Sequence, residues 1–275
     1  MTPGIYHDIP IEKYHGGVGI SKSGLDDINQ SPLHYWANRF DPRKPKVDED
    51  TAARLVGNLA HCALLEPDEF DKRYKVGPDV SKNTKEWKAF ADLHSDKVCI
   101  KPDQYQAAMW QAENMRALPQ VRDALAAVGG KPEVSAYWID ELTGELCRCR
   151  PDWVAPINAG GVVLLDVKTY GDASTQEFAR QIGRMRYHVQ DAYYSDGFEL
   201  ASGAEVLAFV FVAVEVNWPH AACAVMLDDH SREQGRRDYR RNLDTYAECR
   251  KTNVWPGYST KIEQVSLPRW AFDKE

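Results

Sequence analysis

A single α/β domain is the fold that this sequence predicts: a central mixed sheet flanked by helices, with a helical N-terminal region. Three observations predict it. Apolar residues recur at helical spacing through much of the N-terminal half. From residue 133 the period shortens to brief β-rich runs. Two long apolar runs, 161–170 and 205–216, are then separated by one helical segment. With 275 residues, 43% hydrophobic and 27% charged, the chain can bury one large core.

The elements follow in order. Residues 1–20, with Pro, Gly and aromatic side chains, are expected to form a loop-rich arm. A helix over 22–30 takes Ser21 or Ser23 as its N-cap, and Pro32 opens a second helix. The charged, Pro-rich stretch 41–51 is expected as a mobile surface loop. Residues 51–65 place Leu55, Leu59 and Cys62 on one helical face, and Pro67 ends that helix. Further helical patterns cover 81–94 and 102–127. EVSAYWID and LCRCRPDWV, separated by ELTGE, predict a hairpin. GVVLLDVKTY makes a third strand, and a helix over 175–201 leads to EVLAFVFVAVEV. AACAVMLDD forms another strand beyond a turn containing WPH, and a helix over 229–251 is the last clear element. One domain is expected to span 1–275, with 1–50 an arm and helices and 51–275 the core.

Composition excludes several classes of function. The formal net charge of −7 argues against a simple non-specific polyanion binder, although a basic groove can coexist with an acidic exterior. No apolar run approaches the ~20 residues that cross a membrane. The N-terminus lacks a basic region followed by an apolar one, so a cytosolic location without a membrane partner is expected. Six cysteines occur without a C-x-x-C, which argues against a zinc or iron–sulfur site and reads as reduced thiols.

The chemistry concentrates around GVVLLDVKTYGD. Alternation puts Asp166 and Lys168 on one face of an otherwise apolar strand, where two buried charges need partners or a ligand. A salt bridge at a strand end is one reading. A functional site is the other. The loop APINAGG brings the strand carrying Asp152 alongside, so two carboxylates converge, and Glu133 begins a neighbouring strand. Carboxylates so close repel unless a cation lies between them, and hard oxygen donors favour Mg²⁺ or Mn²⁺. The Val167 carbonyl, between Asp166 and Lys168, can face the same ion. Lys168 can orient the attacking water or stabilise developing negative charge.

Pro151–Asp152 followed by Asp166–Val167–Lys168 resembles the signature of the PD-(D/E)xK nuclease superfamily, with its restriction-endonuclease-like core. GNLAH, 57–61, resembles the helical G-x-x-x-H of RecB-type nucleases, which implies that His61 is a metal ligand. QDAYY resembles the Q-x-x-x-Y of the same group and places Gln190 and Tyr194 on one helical face, with roles in orienting Lys168 or contacting DNA. YHGGVGISKSGLDDI, CRCRPD, DVKT, YHVQDAYYSDGFE and SLPRWA, spread over nearly the full length, resemble the RecE-type exonucleases. That resemblance implies a Mg²⁺-dependent enzyme degrading one strand of linear duplex DNA from its 5′ end. It leaves 3′ single-stranded tails for recombination by strand annealing. It further implies a ring-shaped homo-oligomer, a tetramer, and a RecT-type single-strand annealing partner. The implied metal set is His61, Glu133, Asp152, Asp166 and the Val167 carbonyl, with Lys168, Gln190 and Tyr194 as further catalytic residues.

Several readings stay open. An endonuclease or Cas4-like nuclease can share the core, although the four-cysteine pattern of the latter is missing. A non-catalytic DNA-binding subunit has no need of D-x-K. His61 alone also fits a partly buried histidine, and Glu133 a solvated strand start. Ser21, Lys22 and Ser23 fit helix capping or a phosphate contact at a helix N-terminus. Arg232, Arg236 and Arg240 form an i, i+4 row that suits a solvated face, a phosphate-tracking stripe or a subunit contact. Trp87, Trp110, Trp138 and Trp153 are expected in the core.

Overall fold

The computed structural model describes residues 1–45, 52–157 and 160–272. Its N-terminal third comprises β1 (Gly4–Tyr6), α1 (Ile11–His15), α2 (Lys22–Gln30), α3 (Pro32–Arg39), α4 (Ala52–Leu65), α5 (Pro67–Arg73) and β2 (Tyr74–Val76). There follow α6 (Lys85–Leu93), β3 (Val98–Ile100), α7 (Pro102–Arg116), α8 (Pro119–Leu125), β4 (Lys131–Pro132), β5 (Ser135–Ile139), β6 (Leu146–Cys149) and β7 (Trp153–Pro156). The remainder is β8 (Gly161–Tyr170), α9 (Thr175–Arg184), α10 (Tyr187–Ser202), β9 (Glu205–Glu215), β10 (Ala222–Val225) and α11 (Asp229–Thr252).

Local chemistry explains the boundaries. Ser21 caps α2 by accepting from Gly24 N–H, and Ser31 both ends α2 and caps α3 ahead of Pro32. Pro119 splits the helical pattern over 102–127 into α7 and α8, because proline has no N–H to continue the ladder. Arg186, in the left-handed region at φ 55°, breaks the expected 175–201 helix into α9 and α10. Pro67 opens α5 rather than merely closing α4. The loop expected over 41–51, and Thr51 at the start of the expected helix, lie partly or wholly outside the described residues.

The main sheet has the order β10-β9-β8-β7-β4, with β8 and β9 parallel and the other pairs antiparallel. A second sheet, β1-β5-β6, is antiparallel. β2 and β3 form a small parallel pair. The two faces of the main sheet bury different cores, as alternation requires. Val162, Leu164, Phe209 and Phe211 pack in the core shared with α2, α9, α10 and α11. Leu165, Val167, Val210 and Val212 pack with residues of α4, α7 and α8.

Two departures from expectation shape the site. LCRCRPDWV is two strands, not one: β6 joins the second sheet, and after Arg150–Pro151–Asp152 the chain enters the main sheet as β7. Pro151 cannot donate to a ladder, which favours a break there. The arm over 1–20 is also not simply a loop, since β1 pairs with β5 and α1 buries Tyr14. Three-residue strands are too short for alternation to reveal. The buried guanidinium of Arg148 holds the arm from below, donating to the carbonyls of Tyr14 and His15.

Candidate active site

β7 and β8 pair from Trp153↔Leu165 to Pro156↔Val162. Asp152 is the first residue beyond that ladder, where β7 has already ended and the Val167 backbone has no strand partner on that side. Two side chains take its place. Asp152 Oδ2 accepts from Val167 N–H at 2.6 Å, and His61 Nε2 lies 3.0 Å from the Val167 carbonyl oxygen. His61 reaches it because α4 crosses β8 with Gly57 over Thr169, one turn earlier. His61 Nε2 also lies 3.6 Å from Asp152 Oδ2.

Glu133 completes this group. It does not begin a strand of the main sheet but sits between β4 and β5, in the left-handed region at φ 52°. Its N–H donates to the Asp152 carbonyl at 3.0 Å. Ligand atoms of His61, Glu133 and Asp152 all lie within 4.8 Å of one another. Burial, and then the charge of Asp152, push the Glu133 carboxyl up to about 7. Two crowded carboxylates and an imidazole are a donor set for a hard divalent cation. The 3.0 Å between His61 Nε2 and the Val167 carbonyl also suits it, because neighbouring ligands of a Mg²⁺-type octahedron lie ~3 Å apart.

Asp166 and Lys168 form the second half of the site. Both project from β8, and the ammonium pairs with Asp166 Oδ2 while Gln190 Nε2 donates to Oδ1. Asp166 is only 2% exposed, and burial raises its carboxyl. For Lys168, burial opposes the charge, but Asp166 and then Asp152 outweigh it and hold the ammonium protonated. Its Nζ also sits 4.8 Å from the centre of the Tyr187 ring, a cation–π contact.

Against the sequence reading, His61, Glu133, Asp152 and the Val167 carbonyl converge. Asp166 does not join their ligand cluster, because its carboxylate turns to Lys168 and Gln190. Gln190 therefore orients Asp166 rather than Lys168. Tyr194 packs edge-on against Phe209, and burial holds its hydroxyl protonated, with the Asp166 and Asp152 charges adding to the effect. Lys22 lies beside this half of the site, 5.5 Å from the same Tyr187 ring, paired with Asp26 and donating to the Met185 carbonyl. Burial draws its pKa down. Ser21 and Ser23 bond each other, and Ser21 caps α2.

The arginine row is engaged by carboxylates within the fold, as the reading without a DNA contact has it. Arg232 pairs with Asp191, Arg236 with Asp196, and Arg240 with Asp140 and Asp244. These side chains stitch α11 to α10 and to the β5–β6 turn instead of offering a free phosphate-tracking face. The helices approach so closely that a Cβ at Gly235 would stand 2.0 Å from the His188 carbonyl oxygen. Trp110 also departs from the expected core, being 40% exposed and stacked edge-on to the exposed Trp218. The sequence reading missed Arg150 and Tyr187, which touch Glu133 and Lys168. The alternation of cysteine and arginine in CRCR was the available signal, since a strand with one apolar face had buried cations on the other.

Comparison with known proteins bears on this geometry. The model of a family described as a PDDEXK-like domain of unknown function (DUF3799) matches residues 21–268. No curated protein matches the sequence. Among solved structures, a "Putative exonuclease" from Eubacterium rectale superposes with a TM-score of 0.59 at 13% identity, covering 96% of this chain and 97% of its own. At that identity the likeness shows a shared fold. The protein SSO0001 has a TM-score of 0.30 at 12% identity over 86% of this chain and 88% of its own. VC1899 from Vibrio cholerae has a TM-score of 0.22 at 10% identity over 85% and 57%. Neither of these two adds to the argument. No helix among the described residues is long and apolar enough to cross a membrane.

Proposed function

This chain belongs to the PDDEXK-like DUF3799 family, and from that premise we propose that it is a divalent-metal-dependent exodeoxyribonuclease. The observation that carries the reading is the meeting of His61, Glu133 and Asp152 within 4.8 Å, beside the Asp166–Lys168 pair. His61, Glu133, Asp152 and the Val167 carbonyl would hold Mg²⁺ or Mn²⁺, with Asp166 adjoining. A cation there would supply Lewis acidity toward a phosphodiester and make bound water more acidic.

The chain's own residues do the rest. Gln190 and Lys168 fix the Asp166 carboxylate from two sides, so its charge is oriented before substrate arrives. Lys168, steadied by Tyr187, presents a cation where negative charge grows on the phosphate or where the attacking water must be aligned. Glu133, half-buried, with its carboxyl raised by desolvation and then by the Asp152 charge, adds a carboxyl that responds to pH close to neutrality.

Removal of nucleotides from the 5′ end of linear duplex is the activity that the RecE-like stretches support, together with the exonuclease description of the Eubacterium rectale protein. The same resemblance supports a ring-shaped homotetramer, a RecT-type annealing partner and a role in recombination in the cytosol. The test is digestion of end-labelled linear duplex and closed circular DNA, with Mg²⁺, with Mn²⁺ and with EDTA. Mononucleotides are expected from the linear DNA only, and only with metal. Cleavage of the closed circle would make the enzyme an endonuclease. Turnover in EDTA would remove the metal reading.

A further inference from the structure

Glu133 poses a structural problem. It is a non-glycine residue at φ 52°, outside any strand, yet its carboxylate must meet His61 and Asp152. Such conformations persist only where the surroundings hold them. Part of the hold is its N–H bond to the Asp152 carbonyl. The remainder comes from Arg150. Its Nε donates to the Glu133 carbonyl at 2.9 Å and lies 3.3 Å from Glu133 Oε2. One guanidinium thus grips the backbone and the carboxylate of the same residue.

Arg150 is itself fixed. Its side chain is 6% exposed, its Nη2 donates to the Ile9 carbonyl in the arm, and its guanidinium lies 4.9 Å from the centre of the Tyr14 ring. Arginine stays ionised, so this is a buried permanent charge, and the ion pair recorded for it is with Glu133. Its Nη1 is buried with no hydrogen-bond partner among the described residues. That unmet donor is shared with Arg148, whose Nε is likewise without a partner among the described residues; what sets Arg150 apart is its contacts to Glu133, which a side chain placed only to pin the arm does not need. Arg148, two residues earlier in β6, makes the comparison. It lies 4.8 Å from the same Tyr14 ring and donates to the Tyr14 and His15 carbonyls, so it pins the arm; none of its recorded bonds is to Glu133.

We propose that Arg150 is a positioning residue of the metal centre, holding Glu133 in its ligating conformation and tying the N-terminal arm to it. This rests on the metal-site reading above. The planar fork is essential, because a lysine ammonium cannot span the Glu133 carbonyl, its carboxylate and the Ile9 carbonyl at once. Groups that orient a metal ligand typically contribute ~10–100-fold to metal affinity.

The experiment is Mn²⁺ binding to the full chain without DNA, read by the EPR signal of free Mn²⁺. The variants are Arg150→Lys, Arg150→Gln, Arg148→Lys, Glu133→Gln, and Arg150→Lys combined with Glu133→Gln. The titration separates the number of competent sites from their affinity, so a partly unfolded variant lowers the first and not the second. Arg150→Lys and Arg150→Gln should weaken Mn²⁺ binding by ~10–100-fold. Arg148→Lys should leave the affinity unchanged. In the Glu133→Gln background, Arg150→Lys should have no further effect, because the ligand it positions is gone. Wild-type affinity in both Arg150 variants would overturn the proposal. So would equal weakening by Arg148→Lys, or an undiminished effect in the Glu133→Gln background. Failure of the wild type to bind Mn²⁺ is a separate result, and it overturns the metal site itself.

Discussion

Lys168→Met removes one charge and keeps most of the stem's volume, so it separates a catalytic ammonium from a structural salt bridge. Asp166 and Lys168 side chains are 3% and 19% exposed, and the pair breaks on its less buried side. Stripping one partner from a buried pair costs about 3–5 kcal/mol when the other charge is stranded. Here Gln190 still donates to Asp166, and the carboxyl can take up a proton, which lowers the cost to about 2–3 kcal/mol near neutral pH. The sign follows from the raised Asp166 carboxyl. The folded variant binds that proton more tightly than the unfolded chain, so the deficit shrinks as pH falls and grows as pH rises. Against a typical domain stability of about 5–15 kcal/mol the variant stays folded. The rate should nevertheless drop ~10²–10³-fold for loss of one preorganised charge, or about 2.7–4 kcal/mol of barrier. Urea unfolding and initial rates on linear duplex at saturating Mg²⁺ measure the two separately. Activity within a few-fold of wild type, beside the expected stability loss, would leave Lys168 as a salt bridge and nothing more.

Asp152→Ala removes a proposed metal ligand and the acceptor of the Val167 N–H. Hydrolysis should fall to background and stability by about 1–3 kcal/mol, checked by rate and urea midpoint. Asp191 is buried and its carboxyl is raised to about 6 by burial, which Arg232 only partly offsets. The stability that a raised carboxyl contributes is present at low pH and is lost as pH rises through about 6. Asp191→Asn should therefore flatten a slope worth roughly 2–3 kcal/mol between acid and neutral pH, and a wild-type slope in the variant would contradict the assignment. Arg236→Gln with Arg240→Gln should lower the melting temperature and leave the salt dependence of DNA-end binding as in the wild type, because both side chains are engaged by Asp196 and Asp140. A flatter salt slope in that double variant would return the row to the DNA surface.

Long periodic segments and capping residues were legible. Ser21, Pro32 and the apolar run of β9 announce themselves because caps and core faces depend on neighbours close in sequence. Asp152, Asp166 and Lys168 were legible for a chemical reason: charged side chains in or beside buried strands demand an explanation. What was not legible depended on partners distant in the chain. β1 is visible only through β5, more than a hundred residues later. The arginines of α11 look like a cationic stripe until α10 and the β5–β6 turn bring Asp191, Asp196 and Asp140 to them. Glu133 was picked out as the start of a strand expected beside the site, but its left-handed backbone, and hence its contact with Arg150, could not be read from a strand pattern.

The charge distribution then bears on how an acidic chain meets DNA. Its formal charge is −7, and Arg232, Arg236 and Arg240 of α11 are paired with Asp191, Asp196 and Asp140. The cations left near the reacting groups, Lys168, Lys22 and Arg150, are each paired with a carboxylate as well. Long-range attraction is therefore weak, and the local balance around Glu133, Asp152 and Asp166 is negative without a cation. On the proposed function, a divalent ion held by His61, Glu133 and Asp152 would reverse that sign where a phosphate arrives. Binding of metal and binding of the DNA end would then be coupled through the same carboxylates. Arg150, which grips Glu133 at the junction of the two sheets, would bear on both.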